Sequence, residues 1–142
     1  MSHPSPGAQR LLHSLKMQVR WGDMDALGHV NNAEYLRYFE HSRIVWLEGH
    51  GYAVAGVGTG PVLAKVSVTY LKPIVYPTEI EIRLYAGRIG NSSFTLLSEI
   101  VNGRDASERF TEGEFVTVWM DYGASKSVPV PDRIRSILAG AP

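Results

Sequence analysis

The chain has 142 residues, 44% hydrophobic and 20% charged, with a formal net charge of zero. That length and composition suit a single domain with a buried core and exclude a compositionally disordered chain. The charge balance argues against a broad nucleic-acid surface, and the lack of cysteine removes disulfides, thiolate nucleophiles and cysteine-based zinc sites.

The opening "MSHPSPGAQR" has no apolar stretch of the kind a signal peptide carries. Residues 1–14 read as a flexible tail and 15–142 as one domain. No apolar run approaches the roughly 20 residues needed to span a bilayer, so no membrane partner is expected and the cytoplasm is the default compartment. A short first strand is expected from Lys16 to Trp21. A polar turn follows, then a helix over Asn32 to Glu48. At 100° per residue, Tyr35, Leu36, Tyr38, Phe39, Val45, Trp46 and Leu47 form one wide apolar arc, opposite Glu34, Arg37, Glu40, His41 and Glu48. Gly49 and Gly51 supply the stop.

From there the period changes to two. In "PVLAKVSVTYLKP", Val62, Ala64, Val66, Val68 and Tyr70 alternate with Lys65, Ser67 and Thr69. In "TEIEIRLYAG", Ile80, Ile82, Leu84 and Ala86 share a face. "SFTLLSEIV" and "ERFTEGEFVTVWM" continue the pattern, with Asn102-Gly103 as a hairpin signal between them. A short helix closes the chain in "VPDRIRSILAG", starting near Pro131 or Asp132. One long helix followed by an antiparallel meander is an α+β arrangement. Curling a sheet of about five strands around the helix buries the apolar arc. It also leaves exposed edges that favour a homodimer or homotetramer.

The turn "WGDMDALGHVNN" has an ordinary explanation in part. Asn31 suits an N-cap with Glu34 three residues on, as in a capping box. Val30 and Tyr35 suit a hydrophobic staple, and Gly28 a turn with positive φ. Those rules leave Asp23 and Asp25 unexplained beyond the general liking of turns for aspartate. The same cap also permits chemistry. A side-chain cap occupies the N–H of N2 or N3, which leaves the Asn32 amide, at N1, free to donate outward. A carbonyl oxygen resting there would be polarised. Asp25, one loop away, could activate water or attack the carbon itself. Other chemistries lack their motifs: there is no G-x-S-x-G elbow and no H-E-x-x-H, and "GVGTGP" does not open a helix after a strand.

The stretch "VRWGDMDALGHVNNAEYLRYFEHSR", with "VSVTYLKPIVYPTEI" and "RIGNSSF" after it, resembles the 4-hydroxybenzoyl-CoA thioesterase family of hot-dog-fold acyl-CoA thioesterases. The resemblance implies a hot-dog fold and hydrolysis of an acyl-CoA to free acid and CoA. It needs no metal and no redox cofactor, since coenzyme A is part of the substrate. It places the nucleophile or general base on Asp25 and the oxyanion donor on the Asn32 amide, with Asp23 as loop support. It puts Tyr35, Phe39, Val62 and Val66 around the acyl group, the last two on a strand facing a neighbouring subunit's helix, and counts His29 and Asn31 of the turn among the substrate-binding residues. Arg88, Ser92 and Ser93 fall near the pantetheine and phosphates. Many relatives carry histidine where this chain has Asn32. The H-V-N-N form here is closer to acyl-ACP thioesterases, so an acyl-ACP substrate stays open, as does a non-catalytic acyl-CoA binding module.

Overall fold

A computed structural model describes residues 9–52 and 57–140. The elements in chain order are β1 (Leu11–Gln18), a 3-10 turn (Trp21–Asp23), α1 (Asn32–Gly49), β2 (Thr59–Tyr70), β3 (Glu79–Ile89), β4 (Ser93–Asn102), β5 (Asp105–Asp121), β6 (Lys126–Ser127) and α2 (Asp132–Ala139). The strands form one antiparallel sheet ordered β1-β3-β4-β5-β2, with β6 beside β5. This is the α+β arrangement expected, a long helix packed on an antiparallel sheet, with six strands where about five were expected.

Alternation builds the core. Along β5, Thr111, Gly113, Phe115, Thr117 and Trp119 are buried and the residues between them half-buried. Ile80, Ile82, Leu84, Leu96 and Ile100 supply the same face of β3 and β4. α1 lays Tyr35, Tyr38, Phe39, Trp46 and Leu47 against it. The Phe39 and Phe115 rings meet at 4.8 Å. Ile134 and Leu138 of α2 close the Trp46–Trp119 end of the core.

Four expectations change. β1 starts at Leu11 and ends at Gln18, because its partner is β3 from Glu79 to Tyr85. Residues 11–14 therefore belong to the sheet, Trp21 lies in the 3-10 turn, and residues 1–8 of the expected tail lie outside the described residues. The apolar arc of α1 is narrower than expected: Leu36 is exposed and Val45 half-buried. The hairpin at Asn102-Gly103 forms one residue later, with Asn102 opposite Asp105.

The fourth change concerns β2. Its pairing with β5 shifts between Leu63 and Lys65, a β-bulge that leaves Ala64 without an opposite number. Directly opposed residues share a face. Pro61 and Leu63 lie opposite Trp119 and Thr117, on the inner face, and Val66 lies opposite Phe115, also inside. Val62 lies opposite Val118, on the outer face. A strict alternation cannot hold through an extra residue, so Val62 and Val66 do not share a face. As a sheet edge, β2 keeps Val62, Leu63, Val66 and Tyr70 substantially exposed.

At the far end of the sheet, β3 and β4 approach closely at Gly87. A Cβ there would lie 2.6 Å from the Thr95 carbonyl oxygen. Gly87→Ala should therefore lower stability by about 1–3 kcal/mol, the usual cost of overpacking against backbone, read as a lower urea midpoint.

Candidate active site

The turn before α1 is a closed network of backbone hydrogen bonds. Met24 bridges Val30 in antiparallel fashion. The Asp25 amide donates to the His29 carbonyl at 2.9 Å, and the Gly28 amide to the Asp25 carbonyl at 3.1 Å. Gly28 takes φ of 81°, the left-handed conformation that the tight turn requires and that a side chain would strain. The Val30 amide donates to Ile74 at 2.8 Å, which ties the turn to the loop between β2 and β3.

Asp23 holds this turn to the helix. Its carboxylate, 8% exposed, accepts from the Tyr38 hydroxyl at 2.7 Å and from the Arg20 amide at 3.0 Å. Its carbonyl accepts from the Asn31 amide at 2.9 Å. Burial, and then the hydrogen bond to that carboxylate, hold the Tyr38 phenol well above its ordinary pKa, so it stays a donor. The Asn31 amide is thereby already used. Glu34 has no amide to reach back to, and the reciprocal half of the expected capping box is not made. Asn31 still caps α1: its Oδ1 accepts from the Ala33 amide at 2.9 Å and its carbonyl from the Glu34 amide at 2.8 Å.

N2 and N3 are thus satisfied. The Asn32 amide, at N1, has no hydrogen-bond partner among the described residues and lies on an exposed residue. Its carbonyl accepts from the Tyr70 hydroxyl of β2 at 2.8 Å, and Tyr70 packs edge-on against Tyr35 at 5.0 Å. Asp25, half-buried, spends one oxygen, Oδ1, on the Leu27 amide at 2.9 Å. Its Oδ2 has no partner among the described residues. A carboxylate with one oxygen fixed and one open, on the loop that feeds a helix with a free N1 amide, can present a base or nucleophile beside a hydrogen-bond donor.

The remaining candidates fall in three places. His29 and Asn31 lie in the turn with Asp25 and Asn32. Tyr35 and Phe39 are core side chains, and the Tyr35 hydroxyl accepts from the Ile74 amide at 3.2 Å. Val66 faces inward along α1, while Val62 faces out. Arg88, Ser92 and Ser93 sit at the β3–β4 hairpin. That hairpin is tied to the other end of the molecule: Ser92 accepts from the Trp119 amide, and Asn91 from Val130. The eighteen residues of α1 span about 27 Å. Within one chain, the hairpin and Asp25 therefore stand at opposite ends of the helix. Arg88 and Ser93 instead line a cavity of about 520 Å³ with Thr95, Leu97 and Glu114. The sequence motifs do not mark two residues that matter here. Along the chain Tyr70 is only one member of an alternating strand. Arg43 is a charge on the apolar side of α1, and that misfit was its signal.

The sequence pattern of the Thioesterase-like superfamily matches residues 19–138. The PA2801 protein of Pseudomonas aeruginosa, described as a candidate thioesterase, is 42% identical; the alignment covers 89% of this chain and 98% of that one, at a TM-score of 0.86. A candidate acyl-CoA thioesterase of Xanthomonas campestris, XC229, is 36% identical over 78% of this chain and 93% of that one, at a TM-score of 0.73. A chloroplastic acyl-acyl carrier protein thioesterase of Arabidopsis thaliana, ATL3, is 26% identical over 87% of this chain and 66% of its own length.

Replacing Tyr38 with Phe removes the hydroxyl that Asp23 accepts from. Loss of a hydrogen bond to a buried charged group should cost about 1.5–3 kcal/mol, seen as a lower melting temperature.

Proposed function

Since this chain belongs to the Thioesterase-like superfamily and is a thioester hydrolase, we propose that it hydrolyses acyl-CoA thioesters, with Asp25 as base or nucleophile and the Asn32 amide as oxyanion donor. One observation carries the reading: among the described residues the N1 amide of α1 has no partner, and Asp25, on the loop feeding that helix, keeps one carboxylate oxygen open. The similarity to an acyl-CoA thioesterase candidate supports the carrier.

The chemistry follows from those two groups. The thioester oxygen rests on the Asn32 N–H. In the direct route, Asp25 takes a proton from water, and the hydroxide adds to the carbonyl carbon. The oxyanion is held by the amide and by the positive end of the helix. Collapse breaks the C–S bond, and the departing thiolate takes the proton from Asp25. In the covalent route, Asp25 adds to the carbonyl and expels the thiolate, and water then cleaves the resulting anhydride. Neither route calls for a metal or a redox cofactor, coenzyme A entering as part of the substrate.

The substrate needs a second copy of the chain in this reading. The Arg88–Ser93 hairpin, a natural contact for the pantetheine and phosphates, lies at the far end of α1 from Asp25 in the same chain. A partner running the other way would bring its own hairpin to the site. The exposed apolar side chains of the β2 edge support a homo-oligomer, since an uncovered apolar edge invites pairing. Among the described residues no helix is long and apolar enough to cross a membrane.

A specific observation favours a second reading of the carrier. The similarity to a plant acyl-acyl carrier protein thioesterase, together with the H-V-N-N turn, supports a protein-borne acyl group.

Thiol release from panels of acyl-CoAs and acyl-ACPs decides between them, the better carrier being the one with the higher kcat/KM. Asp25→Asn and Asp25→Ala should lower kcat by about 10²–10⁴-fold, the usual worth of a general base, while still binding substrate. Unchanged turnover in both variants would sink the role given to Asp25. Light scattering on the purified protein should give a dimer or a tetramer, and a monomer that turns over normally would contradict the shared site.

A further inference from the structure

Arg43 is half-buried, and one of its guanidinium nitrogens has no hydrogen-bond partner among the described residues. It follows Asn32 by eleven residues, which is three full turns of α1 and about 20° more, so it lies on the same face of the helix about 16 Å further along. That nitrogen, Nη1, is sealed from solvent. The guanidinium lies over the Phe115 ring, 4.6 Å from its centroid, which compensates a half-buried cation only in part. Burial lowers its pKa to about 10, against the opposing charge of Glu40, so it remains a cation at neutral pH. Glu40 is the acidic group facing it, and its carboxylate is shared with the exposed Arg37.

Arg43 lines a cavity of about 160 Å³ between α1 and the β2–β5–β4 part of the sheet. Ile44, Leu47, Leu63, Phe94 and Leu96 make the rest of it largely apolar. At about 30 Å³ per water, it has room for a carboxylate and a few methylenes. β2 runs alongside α1 from this cavity to the proposed site. Tyr70 bonds to Asn32 at one end, Val66 pairs with Phe115 in the middle, and Leu63 lines the cavity at the other. Leu36 of α1, Val66 and Leu63 stay exposed along the way. An apolar strip thus joins the Asn32 amide, which has no partner among the described residues, to a half-buried cation with one nitrogen short of a hydrogen bond.

We propose that this cavity receives the far end of the acyl chain and that Arg43 binds an anionic group there, so that the preferred substrates are medium-chain ω-carboxyacyl thioesters. The inference rests on the thioesterase reading with the carbonyl at Asn32. A carboxylate satisfies Arg43 with a charge-assisted hydrogen bond, which a methyl terminus cannot. A methyl terminus would add no partner to a half-buried cation in a largely apolar pocket, at a cost. Arg43 is a specificity determinant here and takes no part in bond breaking.

The test compares ω-carboxyacyl-CoAs with methyl-terminated acyl-CoAs of equal length. The wild-type enzyme should favour the former in kcat/KM by at least tenfold. Arg43→Met, matched in length and apolar, should lower kcat/KM for the carboxylated substrates on the order of 10²-fold, while leaving or raising it for the methyl-terminated ones. Arg43→Lys should keep part of the preference, and Glu40→Gln should increase it by removing a competing negative charge. Calorimetry with non-hydrolysable ω-carboxyalkyl- and alkyl-CoA thioethers on the wild type and on Glu40→Gln gives the same answer should Arg43→Met not fold. Hydrolysis or thioether binding without a preference for the carboxylated end overturns the inference alone, as it would if a second subunit filled the cavity. Failure to hydrolyse or bind any acyl thioester overturns the proposed function, and this inference with it.

Discussion

The site depends on how the Asn31 peptide spends its hydrogen bonds. Its amide goes to the Asp23 carbonyl, its side chain takes the Ala33 amide and its own carbonyl takes that of Glu34. Those three bonds cap α1 and leave the next amide, that of Asn32, without a partner among the described residues. They hold because Asp23 is itself fixed, buried against the Tyr38 hydroxyl of the second turn of the same helix. The two aspartates of the turn are thus divided by environment. Asp23 is saturated by neighbouring donors and carries the loop. Asp25, one turn of chain away, spends one oxygen on the loop, and its other oxygen has no partner among the described residues.

The bulge in β2 sets the second half of the arrangement. One unopposed residue, Ala64, turns Leu63 toward α1 and Val62 away from it, while Val66 stays inside. Without that extra residue, the strand would present Val62 to the helix, and Leu63 would not line the cavity at Arg43. The bulge falls on an edge strand, where an interrupted ladder is least costly. The same strand donates the Tyr70 hydroxyl to the Asn32 carbonyl. β2 therefore links the N-terminal end of α1 to the apolar cavity three turns along.

A helix can join two such places because its faces repeat. Asn32, Phe39 and Arg43 fall within a narrow sector of α1. Phe39 is spent on the core, packed on Phe115, and Arg43 reaches over the same ring. The aromatic pair thus fixes the floor from which the arginine projects. The hairpin carrying Arg88, Ser92 and Ser93 stands on the opposite side of this division, tied to β5 and to the segment before α2.

The sequence by itself determined the elements whose causes are local. The N-cap at Asn31, the positive φ at Gly28, the helix from Asn32 and the alternation of β3 and β5 all follow from neighbours a few residues apart. So does the prospect of an unpaired amide at Asn32, and the family resemblance identified which aspartate of the turn to weigh. Tertiary structure decided what depends on distant partners. It took the Asn31 amide from Glu34 and gave it to Asp23. It moved β1 back to Leu11 to match β3, and placed the bulge where β2 meets β5. It also set Arg43 against the Phe115 ring in the wall of a largely apolar cavity. Capping and alternation are contests among nearby groups, readable along the chain. Register, edge position and burial are settled by residues that folding alone brings together.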